Sequence, residues 1–267
     1  MTRIYTLVNQ KGGVGKTTTA VNLGAFLARA GQRVLIVDID PQANATSCLG
    51  VDKHVVRSGA YEVLLEDVPA ATVILRNNGL HLSLLPSAPS LAGAEVELVE
   101  AEARESRLKN ALAPLLERYD YLLIDCPPSL GLLTVNGLVA ARDGVIIPVQ
   151  CEYLALEGLG QLMDTLQRVR GGLFPELAIR GVVMTMFDAR THLSNDVVAE
   201  VRKYFPEQVF KIVVPRSIRL AEAPSYGLPI SAYAPESIGA QAYQSLAQEL
   251  LVGDGVRVPD NAPEPGA

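Results

Sequence analysis

Short apolar runs alternate along the chain with longer stretches whose apolar residues recur at helical spacing. Ile4–Val8, Val34–Val37, Leu80–Leu85, Tyr121–Ile124, Val145–Val149, Ile179–Thr185 and Val209–Val214 are four to seven residues long and rich in Val, Ile and Leu. A strand with one wet face alternates apolar and polar residues, so continuous runs predict strands covered on both faces. Between them, Thr17–Ala30 is Ala- and Leu-rich and ends at Gly31, a natural helix stop. Ser106–Arg118 and Leu154–Val169 are amphipathic, and Ser237–Leu251 sets Ile238, Ala242, Leu246 and Leu250 on one face. Sustained strand–helix alternation predicts an α/β fold: a single doubly wound, mostly parallel twisted sheet with helices on both faces. The pattern covers residues 1–252 without a repeat or linker. Residues 253–267 are Gly- and Pro-rich and lack a periodic apolar face, so a disordered tail is expected there.

Composition narrows the class. With 267 residues, 49% hydrophobic and 19% charged, the chain can bury a sizeable core and is not collagen-like, coiled-coil or disordered. A formal charge of −6 excludes a uniformly basic nucleic-acid binder but leaves room for a local basic patch. Cys48, Cys126 and Cys151 are too widely spaced for a disulfide framework or a CxxC metal site. Sparse cysteine and no secretory signal predict a cytoplasmic protein. The most apolar zone, Leu133–Val149, is broken by Arg142 and Asp143, so no transmembrane helix is expected.

The strongest chemical signal is Gln10-Lys11-Gly12-Gly13-Val14-Gly15-Lys16-Thr17-Thr18, lying after one predicted strand and opening a predicted helix. In that setting glycines let successive backbone N–H groups turn towards phosphate oxygens, and the helix N-terminus adds its positive dipole end. Lys16 is placed to meet the β- and γ-phosphates, Thr17 to ligate Mg²⁺ directly, and Thr18 to meet the α-phosphate. The loop departs from GxxxxGK[ST] at its first position, where Gln10 stands for glycine, and carries Lys11 just before the glycines. Two predicted strands end in acids: Val34–Val37 runs into Asp38-Ile39-Asp40, and Tyr121–Ile124 into Asp125. Ligands of open α/β sheets bind beyond the carboxyl ends of strands. Asp125 is therefore expected to hold Mg²⁺ through water, and Asp40 to orient the attacking water, with a water-mediated contact to the metal of its own. Helix capping is the structural alternative for either acid, and Asp38 is assigned a structural part.

Together these residues resemble the deviant Walker A ATPases, and within them the ParA/Soj partition proteins. The resemblance spans roughly residues 1–250. It is carried by NQKGGVGKTTTAVNLG at 9–24, VLIVDIDPQANATSCLG at 34–50, DYLLIDCPPSLGLLTVNGL at 120–138, PVQCEYLALEGLGQL at 148–162, MTMFDART at 184–191 and VPRSIRLAEAPSYGLPI at 214–230. It implies that ATP and Mg²⁺ are bound between two copies, with Lys11 reaching the partner's nucleotide. It also implies an adenine pocket near Met186, Pro215, Arg216 and Ser217. Many relatives carry Asn at one or other of these places, where this chain has Met186 and Ser217.

Charge is unevenly spread: residues 165–220 carry a net +4 and residues 52–120 a net −4. The C-terminal half is the candidate basic face, and a dimer doubles it. The resemblance implies sequence-indifferent binding of double-stranded DNA by the ATP form, with Arg190, Arg219 and Arg216 as contacts. It further implies slow hydrolysis stimulated by a ParB-like centromere-binding protein, and nucleoid association. The alternative is a MinD-like or cargo-positioning ATPase acting on membrane or protein. The last 15 residues hold one Arg, no Lys, no aromatic and three prolines, unlike a membrane-surface helix.

Overall fold

A computed structural model describes residues 1–153 and 155–256. Its eight strands are β1 (Arg3–Leu7), β2 (Val34–Asp38), β3 (Leu75–Asn77), β4 (Leu82–Leu85), β5 (Tyr121–Asp125), β6 (Gly144–Gln150), β7 (Ile179–Phe187) and β8 (Val209–Pro215). They form one sheet in the order β3-β4-β2-β5-β1-β6-β7-β8. All neighbouring pairs are parallel except β3–β4. The α/β, doubly wound architecture read from the pattern is the architecture found.

Alternate residues of the central strands feed different cores. Val34, Ile36, Tyr121 and Leu123 pack on one face of the sheet with Leu23 and Leu27 of α1 (Lys16–Arg29). Leu35, Val37, Leu122 and Ile124 pack on the other with Val63, Leu108 and Leu133. Those three belong to α3 (Ala60–Leu65), α6 (Arg107–Leu112) and α7 (Leu132–Ala140); α2 (Asn44–Cys48), α4 (Ala70–Val73) and α5 (Ala94–Glu97) lie between. A third core joins β6 and β7 to α8 (Ala155–Gly172) and α9 (His192–Tyr204). The chain closes with α10 (Ile218–Glu222), α11 (Ile230–Tyr233) and α12 (Ile238–Gly253). None of these helices is long and apolar enough to cross a membrane.

Three expectations are corrected, and one strand was not expected. The helix expected over Ser106–Arg118 stops at Leu112, and a 3₁₀ turn takes Ala113–Leu115, because Pro114 has no N–H to continue the ladder. α12 is capped by Ser237, whose hydroxyl accepts from Ala240 N, but its buried stripe is Tyr243, Leu246, Ala247 and Leu250. Ile238 is exposed, because it sits at the helix entrance beyond the edge of the core. The expected boundary at 252 falls inside the ordered chain: α12 runs to Gly253, and Asp254 buries its carboxylate against the hydroxyls of Tyr5 (2.8 Å) and Tyr121 (3.0 Å). Arg180 Nε adds a third donor at 3.0 Å, and Val256 packs against the apolar core, so residues 253–256 are tied to the fold by both charge and apolar contact. Residues 257–267, the rest of the expected tail, lie outside the described residues. Finally, β3 carries exposed Leu75 and Arg76 and had no buried run to announce it.

Candidate nucleotide site

The sheet's register builds the site. Leu7 of β1 is level with Asp125 of β5, and Asp125 with Asp38 of β2, so the phosphate loop and two acids emerge side by side. Gly13 (φ +74°) and Gly15 (φ +95°) adopt left-handed conformations that a Cβ disfavours, turning the chain from β1 into α1 within a few residues. The loop is held at both ends. Asn9 Nδ2 donates to Pro148 O (2.8 Å), and Asn9 Oδ1 accepts from Lys11 N (3.1 Å). Thr185, near the end of β7, donates its hydroxyl to Val14 O (2.8 Å).

Lys16, in the first turn of α1, is buried, and its ammonium donates to Lys11 O at 3.3 Å. Burial lowers its pKa, against the pull of the Asp125 and Asp40 carboxylates. Thr17 Oγ1 donates to Asp125 Oδ2 at 2.6 Å. Asp125 is fully buried, and its Oδ1 has no hydrogen-bond partner among the described residues. Burial, reinforced by the neighbouring Asp38, raises its pKa well above the usual carboxylate range. A buried, unpaired carboxylate oxygen beside a glycine-rich loop at a helix N-terminus suits a bound cation and phosphate. Mg²⁺ is held through few protein oxygens and several waters, so one hydroxyl and one acid meet its needs without a cage. Among the described residues no group of three or more His, Cys, Asp or Glu forms a metal cluster.

Asp38 and Asp40 divide their work. Asp38 is buried and fully engaged: its oxygens accept from Asp40 N (3.1 Å), Thr46 N (2.8 Å) and Thr46 Oγ1 (2.7 Å). Burial pushes its pKa up to about 6. Asp40 is buried too, yet its Oδ1 accepts only from Gln42 N (2.8 Å) and, among the described residues, its Oδ2 accepts none. Asp40 thus keeps one carboxylate oxygen free among the described residues, whereas both oxygens of Asp38 are engaged.

Lys11 is separated from Lys16 in environment. Its side chain is 32% exposed, and its ammonium lies 3.6 Å from Glu152 Oε2. Glu152 also pairs with Arg216 (3.4 Å) and accepts from Gln150 Nε2. This carboxylate, missed from the sequence although it lies in the CEYLALEG segment, ties the phosphate loop to the chain leaving β8. Met186 (φ +52°) and Phe187 end β7 beside that chain: Arg216 N donates to Phe187 O (2.9 Å), which brings Met186, Pro215, Arg216 and Ser217 together at the carboxyl ends of β7 and β8. Arg190 and Arg219 are well exposed, but each is paired within its own chain, to Asp188 (2.7 Å) and Glu222 (2.9 Å). Arg216, Arg190 and Arg219 thus share one condition: each is an exposed guanidinium with an acidic neighbour.

Comparison with known proteins places this geometry. A family model described as an AAA domain matches residues 2–179. The chain is 54% identical over 250 residues to the sporulation initiation inhibitor protein Soj of Bacillus subtilis, covering 94% of this chain and 98% of that protein. It is 51% identical over 257 residues to the chromosome partitioning protein ParA of Myxococcus xanthus, covering 96% and 90%. Among solved structures, a cobyrinic acid a,c-diamide synthase from Mycobacterium smegmatis with bound ATP analog and magnesium matches with a TM-score of 0.84 at 40% identity, covering 97% of this chain and 99% of that one. A phosphate loop with its paired threonine and acid, in a chain half identical to these relatives along nearly its whole length, identifies a member of the ParA/Soj family of chromosome-partitioning ATPases.

Proposed function

We propose that this ATPase is a DNA-partitioning switch whose ATP form is a sandwich dimer. The protein hydrolyses ATP with Mg²⁺. The amides of Gly12–Gly15, with Lys16 and Thr18, bind the phosphates. Thr17 is the direct metal ligand and Asp125 acts through water, with a water-mediated contact from Asp40. Mg²⁺ supplies charge neutralisation at the phosphates. Asp40 holds the attacking water, and Lys16 with the partner's Lys11 stabilises charge on the transferred group. Met186, Pro215, Arg216 and Ser217 line the adenine side.

The observation that carries the dimer is the placement of Lys11: half-exposed at the mouth of the loop and loosely paired, where Lys16 is buried. A cation held there is free to exchange Glu152 for a phosphate of a facing copy. In that state Arg190, Arg219 and Arg216 of two copies contact double-stranded DNA without sequence preference, giving nucleoid association. A ParB-like partner then stimulates hydrolysis and release.

Retention on double-stranded DNA with ATP and Mg²⁺, with ADP, and without nucleotide, across a salt series, tests this. Binding only in the ATP state, falling steeply with salt, supports it. ATP-driven dimers that bind no DNA at any salt overturn it in favour of protein or membrane cargo.

A further inference from the structure

We propose that Ser87 and Glu95 are positioning residues for ATP hydrolysis, acting as a brace that fixes the two acid-bearing loops. Ser87 holds the Asp40 segment, and Glu95 holds the segment that follows Asp125. Neither hydrogen-bonds a phosphate-loop residue among the described residues. The inference rests on the reading that Asp40 and Asp125 serve hydrolysis.

β4 lies parallel to β2, with Leu85 level with Val37, so the chains leaving both strands emerge together. Ser87, two residues past β4, is fully buried. Its hydroxyl donates to Asp40 O at 2.7 Å, and its N–H donates to Thr46 Oγ1 at 2.9 Å. The Thr46 hydroxyl in turn donates to Asp38 Oδ2. Asp40 is thereby fixed through its backbone on two sides, by Ser87 together with Ala43 N (2.8 Å) at its carbonyl and by Asp38 at its N–H, while Oδ2 is left for chemistry. A side chain that must meet a water in line with the γ-phosphate gains most from a fixed backbone and an unspent oxygen.

The same stretch reaches the second loop. A 3₁₀ turn over Pro89–Gly93 leads into α5, where Glu95 Oε2 accepts from Leu132 N at 2.9 Å. Leu132 opens α7, so the anion sits where the helix dipole favours it. The segment 126–131 therefore runs from Asp125 in β5 to a carboxylate-held helix start. Gly131 is packed directly against that carboxylate: a Cβ there collides with both Glu95 oxygens. Glu95 Oε1 is buried and has no partner among the described residues, an arrangement that costs stability. The costly carboxylate holds the end of the loop that begins at the metal-facing acid.

Displacing a reacting group by about 1 Å costs roughly 100-fold in rate. The test measures single-turnover ATP hydrolysis and affinity for a fluorescent ATP analogue in wild type, S87A, E95A, E95Q, D40A and S87A/D40A. S87A and E95A are expected to slow hydrolysis roughly 10-fold or more with ATP affinity unchanged, a partial displacement on that scale. E95Q, whose amide oxygen still accepts from Leu132, returns to near the wild-type rate. S87A adds nothing to D40A if it acts through Asp40 alone. Wild-type rates in S87A and E95A overturn the brace, as does a parallel loss of ATP affinity or a full S87A effect on top of D40A. Should S87A fail to fold, the E95A–E95Q comparison decides by itself. A slow D40A with S87A and E95A at wild-type rate leaves the Asp40 reading standing and removes the brace; D40A at wild-type rate removes that reading.

Discussion

The Thr17 hydroxyl and the Asp125 carboxylate, 108 residues apart in the chain, are joined by a 2.6 Å hydrogen bond at the floor of the phosphate loop. The bond points the threonine proton at the acid, which leaves the hydroxyl oxygen's lone pairs able to accept. It also uses one Asp125 oxygen and leaves the other, fully buried, without a partner among the described residues.

Asp125→Asn is expected to stabilise the nucleotide-free protein at neutral pH while abolishing Mg²⁺-dependent turnover. The folded-state pKa of Asp125 is raised, first by burial and then by Asp38. Its contribution to stability is therefore fully present below the unfolded carboxylate pKa and is lost as pH rises through the folded value. Asn carries no charge, so the variant's advantage should grow from acid to neutral pH. Thermal melts in a chelator across pH 4–8 check this; a pH-independent difference counts against it.

Lys16→Ala should reduce ATP affinity by about 100-fold, the scale of losing a charge-assisted hydrogen-bond donor at a phosphate. Its ammonium is already desolvated, so phosphate contact adds little new dehydration. Titration with a fluorescent ATP analogue reads the loss directly, and unchanged affinity argues against the phosphate-loop assignment.

Asp40→Ala should slow hydrolysis by about 100-fold or more, as expected for a lost water-orienting group, and keep ATP affinity near wild type. On the proposed cycle its ATP form stays on DNA after the wild type has left. Filter retention over time, alongside phosphate release, measures both.

Much of this site was legible because phosphate chemistry is local. The run from Gln10 to Thr18 carries its own glycines, cation and hydroxyls, and Asp125 ends an unmistakable apolar strand. Glu152, Ser87 and Thr185 were not legible, because their importance arises from strand adjacency: each belongs to a chain segment that reaches the site only once β4, β6 and β7 have taken their places. The helices α7 and α9 were missed for different reasons. α7 is apolar almost all round and reads like a strand, whereas α9 is mostly polar and its one local signal, the N-cap Thr191 whose hydroxyl accepts from Ser194 N, was passed over.

Arg219→Glu is expected to weaken DNA retention and lower the magnitude of the salt slope by about 1 per protomer, as for one lost phosphate contact. Glu222, its present partner, would then add repulsion. Basal ATP turnover should not change. Intact retention would remove Arg219 from the DNA face.

Asp254→Ala should destabilise the fold by about 3 kcal/mol, the scale for breaking a buried ion pair and stranding its cation. Its carboxylate is nearly inaccessible and receives Arg180, Tyr5 and Tyr121. Ending the chain after Val252 should lower the melting temperature at least as far. Calorimetry of both variants checks this, and equal melting temperatures would restore the boundary at 252.

The position of β1 governs when this protein can first work. β1 lies in the middle of the sheet, paired with β5 from residue 121 and β6 from residue 144, both of which are translated long after it. Until both have been translated, the loop after β1 has neither the Asp125 wall nor the Pro148 anchor of Asn9. Pairing across such separations is slow to nucleate. A growing chain therefore acquires its nucleotide pocket only after residue 148 has been made, and ATP capture marks a chain whose central strands have already paired.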